Sequence, residues 1–236
     1  MPRQTMSCIL HIETSTSVCS VAVSDGGVCL FNREDHSGPN HAERLGAFVD
    51  EAMAYTGNRD LPLEAVAVSS GPGSYTGLRI GVSMAKGICY GCGASLISVP
   101  TGELLCVPVL LGHDELEDDA LLCPMIDARR MEVYATVYDR ALHTVRPTSA
   151  DVPGEGTYRD LLDAHPVYFF GNGAAKCMDA INHPNARLIE GVEPLARWMF
   201  PVADRRLRDG QTEDVAYFVP YYLKDFVAKP PKRLIP

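Results

Sequence analysis

Ser69-Ser-Gly-Pro-Gly-Ser-Tyr-Thr-Gly-Leu-Arg-Ile-Gly81 is the stretch from which the fold can be read. Ahead of it, Glu64-Ala-Val-Ala-Val-Ser-Ser70 is a short valine-rich run ending in turn residues, the pattern of a buried strand. Behind it, Thr76 to Tyr90 carries the spacing of a helix. Gly71-Pro72-Gly73 forces a sharp turn between the two, since glycine tolerates positive φ and proline fixes its own. Ser74 or Thr76 supplies the helix cap.

A glycine turn of this kind can hold phosphate, because free N–H groups and the helix dipole both point at an anion. The spacing here is G-x-G-x-x-x-G, which matches neither the dinucleotide fingerprint nor the P-loop. The helix carries the stronger signal. Gly77, Gly81 and Ala85 recur every four residues and so share one helical row. Glycine inside a helix costs about 1 kcal/mol relative to alanine, so the row implies the close approach of another backbone. Two occupants fit: a neighbouring helix of the same domain, or a helix of a partner subunit. The partner reading takes in Leu78, Ile80 and Met84, and adds Leu45 and Phe48 from the apolar stripe of the helix that begins near Asn40.

Upstream, Cys8 to Glu13, Val18 to Val23 and Val28 to Arg33 read as three strands, with a hairpin signal at Asp25-Gly26. Asn40-His-Ala-Glu43 resembles a capping box and opens a helix that ends near Gly57. The strand at 64–70, the helix at 76–90, the strand Ser95 to Val99 and a helix from Thr101 to Leu111 complete the first half. His113-Asp-Glu-Leu-Glu-Asp-Asp119 is an acidic, solvated junction. The order of elements then recurs. Leu121 to Asp127, Glu132 to Tyr138 and Leu142 to Arg146 are strands, followed by a helix at 157–164 and the strand Val167 to Phe170. A helix at 174–181, the strand Arg187 to Ile189 and a helix from Pro194 to about Leu207 close the series. The fold class is therefore α/β, a duplicated βββαβαβα, with one domain at 1–111 and a second at 112–236 whose last helix and tail return to the first. A cleft between two such domains is a natural ligand site.

Net charge is −9, which disfavours direct binding to a nucleic-acid backbone. No run approaches the length of a membrane span, and Met1 to Ser7 lacks the apolar core of a signal peptide, so a soluble cytosolic protein is expected. The eight cysteines then act as small hydrophobes, and Cys89-x-x-Cys92 has no second pair to complete a zinc site. His36 and His41 are five apart with Pro39 between them, a spacing that cannot put both imidazoles on one helical face. In the cleft, the hydroxyl-rich turn Glu13, Thr14, Ser15 and Thr16 and the glycine turn Gly171-Asn-Gly173 are the candidate nucleotide contacts, against a reading as two ordinary polar turns.

Ile12-Glu-Thr-Ser-Thr16 with Cys19-Ser-Val-Ala22, the Gly71–Gly81 block, Ile126-Asp-Ala-Arg129 with Glu132-Val-Tyr134, and Pro220-Tyr-Tyr-Leu223 together resemble the TsaB family. These are bacterial proteins of the machinery that makes threonylcarbamoyladenosine in tRNA. The resemblance runs from about Cys8 to Lys224. It implies the two-domain fold of actin, hexokinase and Hsp70. It also implies a non-catalytic scaffold and activating subunit that dimerises with the catalytic subunit TsaD through first-domain helices, with the ATPase TsaE joining them. The same surface would form a homodimer when the chain is alone, and tRNA would be met only through the complex. No cofactor or metal belongs to the chain itself; ATP and a metal ion are expected in the partner subunits, and TsaD's paired metal-binding histidines have no counterpart here. The family usually carries Asp where Glu13 stands, which weakens the nucleotide contacts carried over from it. The reading from a different class is an autonomous ATP-dependent kinase or hydrolase working in the cleft.

Overall fold

A computed structural model describes residues 7–38 and 40–224; Met1 to Met6, Pro39 and the basic tail Lys229–Arg233 lie outside the described residues. β1 (Cys8–Glu13) is the centre of the first sheet and is buried along its whole length. It runs antiparallel to β2 (Cys19–Asp25) and parallel to β4 (Leu63–Gly71). β3 (Val28–Asp35) and β5 (Ser95–Pro100) are the edges, giving the order β3-β2-β1-β4-β5. Gly26 and Gly27, both at positive φ, make the two-residue hairpin between β2 and β3.

The period-two alternation of these strands decides what covers each face. Leu10, Ile12, Val21, Val66 and Val68 meet α1 (His41–Gly57) and α2 (Tyr75–Cys92) on one side. Ile9, Ala65, Ala67, Ile97 and Val99 meet α3 (Thr101–Gly112) on the other.

The second sheet repeats the plan. β6 (Leu121–Asp127), β7 (Val133–Tyr138), β8 (Thr144–Asp151), β9 (Val167–Phe170) and β10 (Ala186–Ile189) are arranged β8-β7-β6-β9-β10, with the same parallel and antiparallel pairings as their counterparts. This duplicated order is the α/β plan of two mixed sheets expected from the sequence. α3 lies between the sheets: Leu104 and Val107 pack on the first, Leu105, Cys106 and Val109 on the second. A helix covered on both sides needs apolar residues all round, which is why Thr101 to Gly112 shows no polar face.

Several local expectations change. The helix expected at 157–164 is only α4 (Arg159–Leu162), and that at 174–181 is a 3₁₀ turn, Ala175–Cys177. Neither has a side-chain cap, and Lys176 is drawn out of the second to the carbonyls of Arg130 and Glu132. The helix expected from Pro194 begins as a 3₁₀ turn, Ala196–Trp198, and becomes α5 (Phe200–Arg208), whose Val202 and Ala203 pack with β1 and β5 of the first sheet. The strand expected from Leu142 starts at Thr144, because Asp139 caps the N–H groups of Ala141 and His143 and leaves Leu142 in the turn at φ 64°. It tolerates Pro147 as an edge strand. Asn40 makes no capping box: its carbonyl, not its side chain, accepts from Glu43 and Arg44.

Candidate functional site

Between the two sheets lies a cleft of about 600 Å³. Its first wall is the turn after β1 with Pro72 to Thr76, the turn into α2. Its second wall is Ile126 to Arg129, Tyr134 and Asn172, and Tyr221 to Lys224 complete the lining.

The hydroxyl turn divides into two parts. Ser15 and Thr16 reach the cleft, whereas Glu13 and Thr14 are wholly buried away from it. Thr14 donates its hydroxyl to the Gly77 carbonyl at 2.8 Å. The Ser15 carbonyl accepts the Ser74 N–H at 2.7 Å, and the Thr16 carbonyl accepts the His41 Nε2–H at 2.8 Å. This turn is therefore a clip that binds the first turns of α1 and α2 to the end of β1, a use of its polar groups that competes with ligand binding. Glu13 takes the Ser15 N–H at 2.5 Å, and burial raises its carboxyl pKa from 4.5 to about 7. The Ser15 and Ser69 hydroxyls lower it in part, yet Glu13 Oε2, Ser15 Oγ and Ser69 Oγ are all buried without a full hydrogen bond.

The clip also corrects the reading of the small-residue row. Gly77, Leu78, Gly81, Ala85 and Leu45 face the interior of the chain. A Cβ on Gly77 would overlap the Thr14 carbonyl oxygen, and one on Gly81 would overlap the Thr14 hydroxyl. A backbone does approach the row closely, but it is the chain's own. Ile80, Met84 and Phe48 remain partly exposed, and Ser83, Gly87 and Tyr90 of α2 are exposed.

The glycine turn behaves similarly. The Gly173 N–H is spent on the Met125 carbonyl at 2.9 Å and the Ala174 N–H on Gly171 at 3.2 Å, while Asn172 accepts the Asp127 N–H at 2.9 Å. Gly171, at φ 94°, has room for no side chain, since a Cβ would sit 2.5 Å from the Met125 carbonyl oxygen. The turn thus spends the Gly173 and Ala174 N–H groups and the Asn172 carbonyl on its own chain, closing onto β6.

Two cations missing from the sequence reading shape the second wall. Lys176 pairs with Asp127 and donates to the carbonyls of Arg130 and Glu132, which holds Arg129 and Arg130 at φ 73° and 52°. Lys224 reaches both carboxylate oxygens of Glu132 at 2.5 and 2.6 Å. Neither has a sequence signature, because each acts on a loop more than forty positions away. His36 is exposed and pairs with Glu34 and Glu193, far from the role of a His41 partner. Among the described residues no group of three or more His, Cys, Asp or Glu side chains could hold a metal ion. Among them, too, no helix is long and apolar enough to cross a membrane.

The profile of the family described as TsaD, tRNA N6-adenosine threonylcarbamoyltransferase, matches residues 35–159, more than half of the chain. The chain is 28% identical to the tRNA threonylcarbamoyladenosine biosynthesis protein TsaB of Escherichia coli K12, over 93% of this chain and 96% of that protein. It is 33% identical to the Haemophilus influenzae TsaB over 53% of this chain and 51% of that protein. A solved Pseudomonas aeruginosa structure, described as an uncharacterized protein with similarity to peptidase YEAZ, superposes with a TM-score of 0.80 at 24% identity, over 93% of this chain and all of that one.

Proposed function

We propose that this chain, which belongs to the TsaB family of tRNA threonylcarbamoyladenosine biosynthesis proteins, is a non-catalytic subunit that pairs with the catalytic subunit TsaD through the outer face of α1 and α2. Family membership itself supports a part in making the modified nucleoside. The observation that carries the pairing is a difference among the glycines of these helices. Gly77 and Gly81 are required by the chain's own clip. Gly46 in α1 and Gly87 and Gly91 in α2 have nothing within 4 Å of where a Cβ would be. Each still costs a helix interior about 1 kcal/mol. Met84 and Ile80, three and seven positions before Gly87 on the same helical face, are partly exposed apolar side chains, as is Phe48 on α1. A partner's helices packed there would use both the apolar area and the open backbone.

In this reading TsaE joins the pair, tRNA is reached only through the complex, the chain alone forms a homodimer through the same face, and the assembly works in the cytoplasm. The two sheets act as domains divided at 111/112, and ATP and metal sit in the partner subunits. An independent kinase or hydrolase is less well supported, because the Gly173 and Ala174 N–H groups and the Thr14 hydroxyl are already bonded within the chain. Gly87→Leu separates the alternatives. In calorimetric titration against purified TsaD it is expected to weaken binding about tenfold to a hundredfold, as overpacking by about 1–3 kcal/mol would. The isolated variant should melt no lower than the parent, since leucine is the better helix former. Unchanged affinity would remove this face from the interface.

A further inference from the structure

The C-terminal segment of the described chain follows an unusual route. After α5, Glu213 pairs with Leu96 at the edge of the first sheet and accepts the Ser98 hydroxyl at 2.5 Å. Lys86 of α2 then donates to the carbonyls of Ala216 and Phe218, each at 3.0 Å. Next the segment turns into the cleft. The Tyr221 N–H bonds the Ser70 carbonyl at 2.8 Å, at the end of β4. Gly71 permits this approach: a Cβ there would lie 2.6 Å from the Tyr221 carbonyl oxygen. Tyr222 packs its ring, tilted by 41°, against Tyr75 of α2 with centroids 4.7 Å apart. Two residues later Lys224 crosses to Glu132, just before β7 of the second sheet.

Tyr221 also lines a second cavity of about 380 Å³, formed by Ser70, Gly71 and Pro100 of the first half and Thr136, Tyr138 and Thr148 of the second. The segment therefore stands between two cavities that both open between the sheets. We infer that Tyr221–Lys224 is a latch: anchored on β4 and α2 of the first half, it grips Glu132 of the second half and sets how far the cleft can open. The latch stands independently of the partner reading, because every contact in it is made within the chain. Its grip on the second half is a partly exposed ion pair, with Lys224 49% and Glu132 23% accessible. Exposed pairs of this kind are worth little, which suits a contact meant to open.

Hydrogen–deuterium exchange on the full chain tests this. Lys224→Met and Glu132→Gln should each speed exchange about two- to fivefold in residues 126–134 and in residues 70–76. The double variant should go no further than either single one, because both remove one contact. Tyr221→Pro, which deletes the N–H donated to Ser70, should speed the same two regions about two- to tenfold. Melting temperatures recorded alongside show whether a variant has loosened globally; the expected result is local acceleration with the melting temperature held. Acceleration confined to residues 215–224, with 126–134 unchanged in all four variants, would overturn the latch.

Discussion

Gly77→Ala is expected to lower the stability of the chain by about 3 kcal/mol, although it adds one methyl group to a helix and improves its intrinsic propensity. The new Cβ would overlap the Thr14 carbonyl oxygen, with His41 Cδ2 3.2 Å and Ser74 Cβ 3.3 Å away on other sides. Backbone on one side and two side chains fixed by hydrogen bonds on the others leave no cheap relaxation, which puts the change at the upper end of ordinary overpacking costs, about 1–3 kcal/mol. For a chain of this size about 3 kcal/mol corresponds to a fall of roughly 6–12 °C in melting temperature. Gly81→Leu should fall in the same class, since Thr14 Oγ1 and Ile12 Cγ2 occupy the space. Thermal unfolding of both beside Gly87→Leu decides the matter. If Gly77→Ala melts within about 2 °C of the parent, the clip formed by Thr14, Ser15 and Thr16 is not holding α2.

Glu13→Gln is expected to stabilise the chain by about 3 kcal/mol at pH 8 and by almost nothing at pH 4. The carboxyl, buried at the end of β1, has its pKa raised from 4.5 to about 7 by the loss of solvent. The folded state therefore holds a proton that the unfolded state has lost between pH 4.5 and about 7, and stability falls as pH rises through that window. At about 1.4 kcal/mol per pKa unit the full cost is about 3 kcal/mol, present above pH 7. His11, buried two residues earlier with Nε2 2.7 Å from Ser24 Oγ, works in the opposite direction. Burial lowers its pKa from 6.5 to about 3, so its contribution is whole above pH 6.5 and is lost as pH falls towards 3. Where the windows overlap, from 4.5 to 6.5, the two slopes cancel and the parent should show a plateau. Glu13→Gln should replace that plateau with stability that climbs from pH 3 to about 6.5 and then levels. Denaturant titrations at pH 4, 6 and 8 read this out; a difference between variant and parent that is constant with pH would mean that burial does not raise the Glu13 pKa above its unfolded value.

The parts of this fold that were legible in the sequence are those where one local pattern decides the outcome. Glu64 to Ser70, Gly71-Pro72-Gly73 and the helix behind them gave β4, a turn with Gly71 at positive φ and α2 capped by Ser74. The same reasoning placed β1, β6 and β9 with their observed ends. Residues 174–181 misled because they lack any breaker, and their helix is lost to a tertiary contact, the pull of Lys176 towards the loop at 127–132. The site was harder for a related reason. A hydroxyl-rich turn looks alike in sequence whether its groups face a ligand or a helix end, and only the position of Gly77 against Thr14 shows that half of this turn faces inward. The small-residue row correctly implied a close backbone, but spacing along one helix carries no information about which chain supplies it. Pro220-Tyr-Tyr-Leu223 gave no hint of a place in the cleft, because its partners, Ser70 and Tyr75, lie some 150 positions upstream.

Whether the chain works only with a catalytic partner is decided by reconstituting threonylcarbamoyl transfer to tRNA from purified components. Four mixtures suffice: the chain alone, TsaD alone, the two together, and TsaD with Gly87→Leu, each supplied with TsaE, ATP and the threonylcarbamoyl donor. The expected results are no turnover by the chain alone, a rate for the pair at least about tenfold above TsaD alone, the equivalent of about 1.4 kcal/mol, and loss of that gain with Gly87→Leu unless the variant is added at higher concentration. Turnover by the chain without TsaD, or a pair no faster than TsaD by itself, would contradict that dependence on a partner.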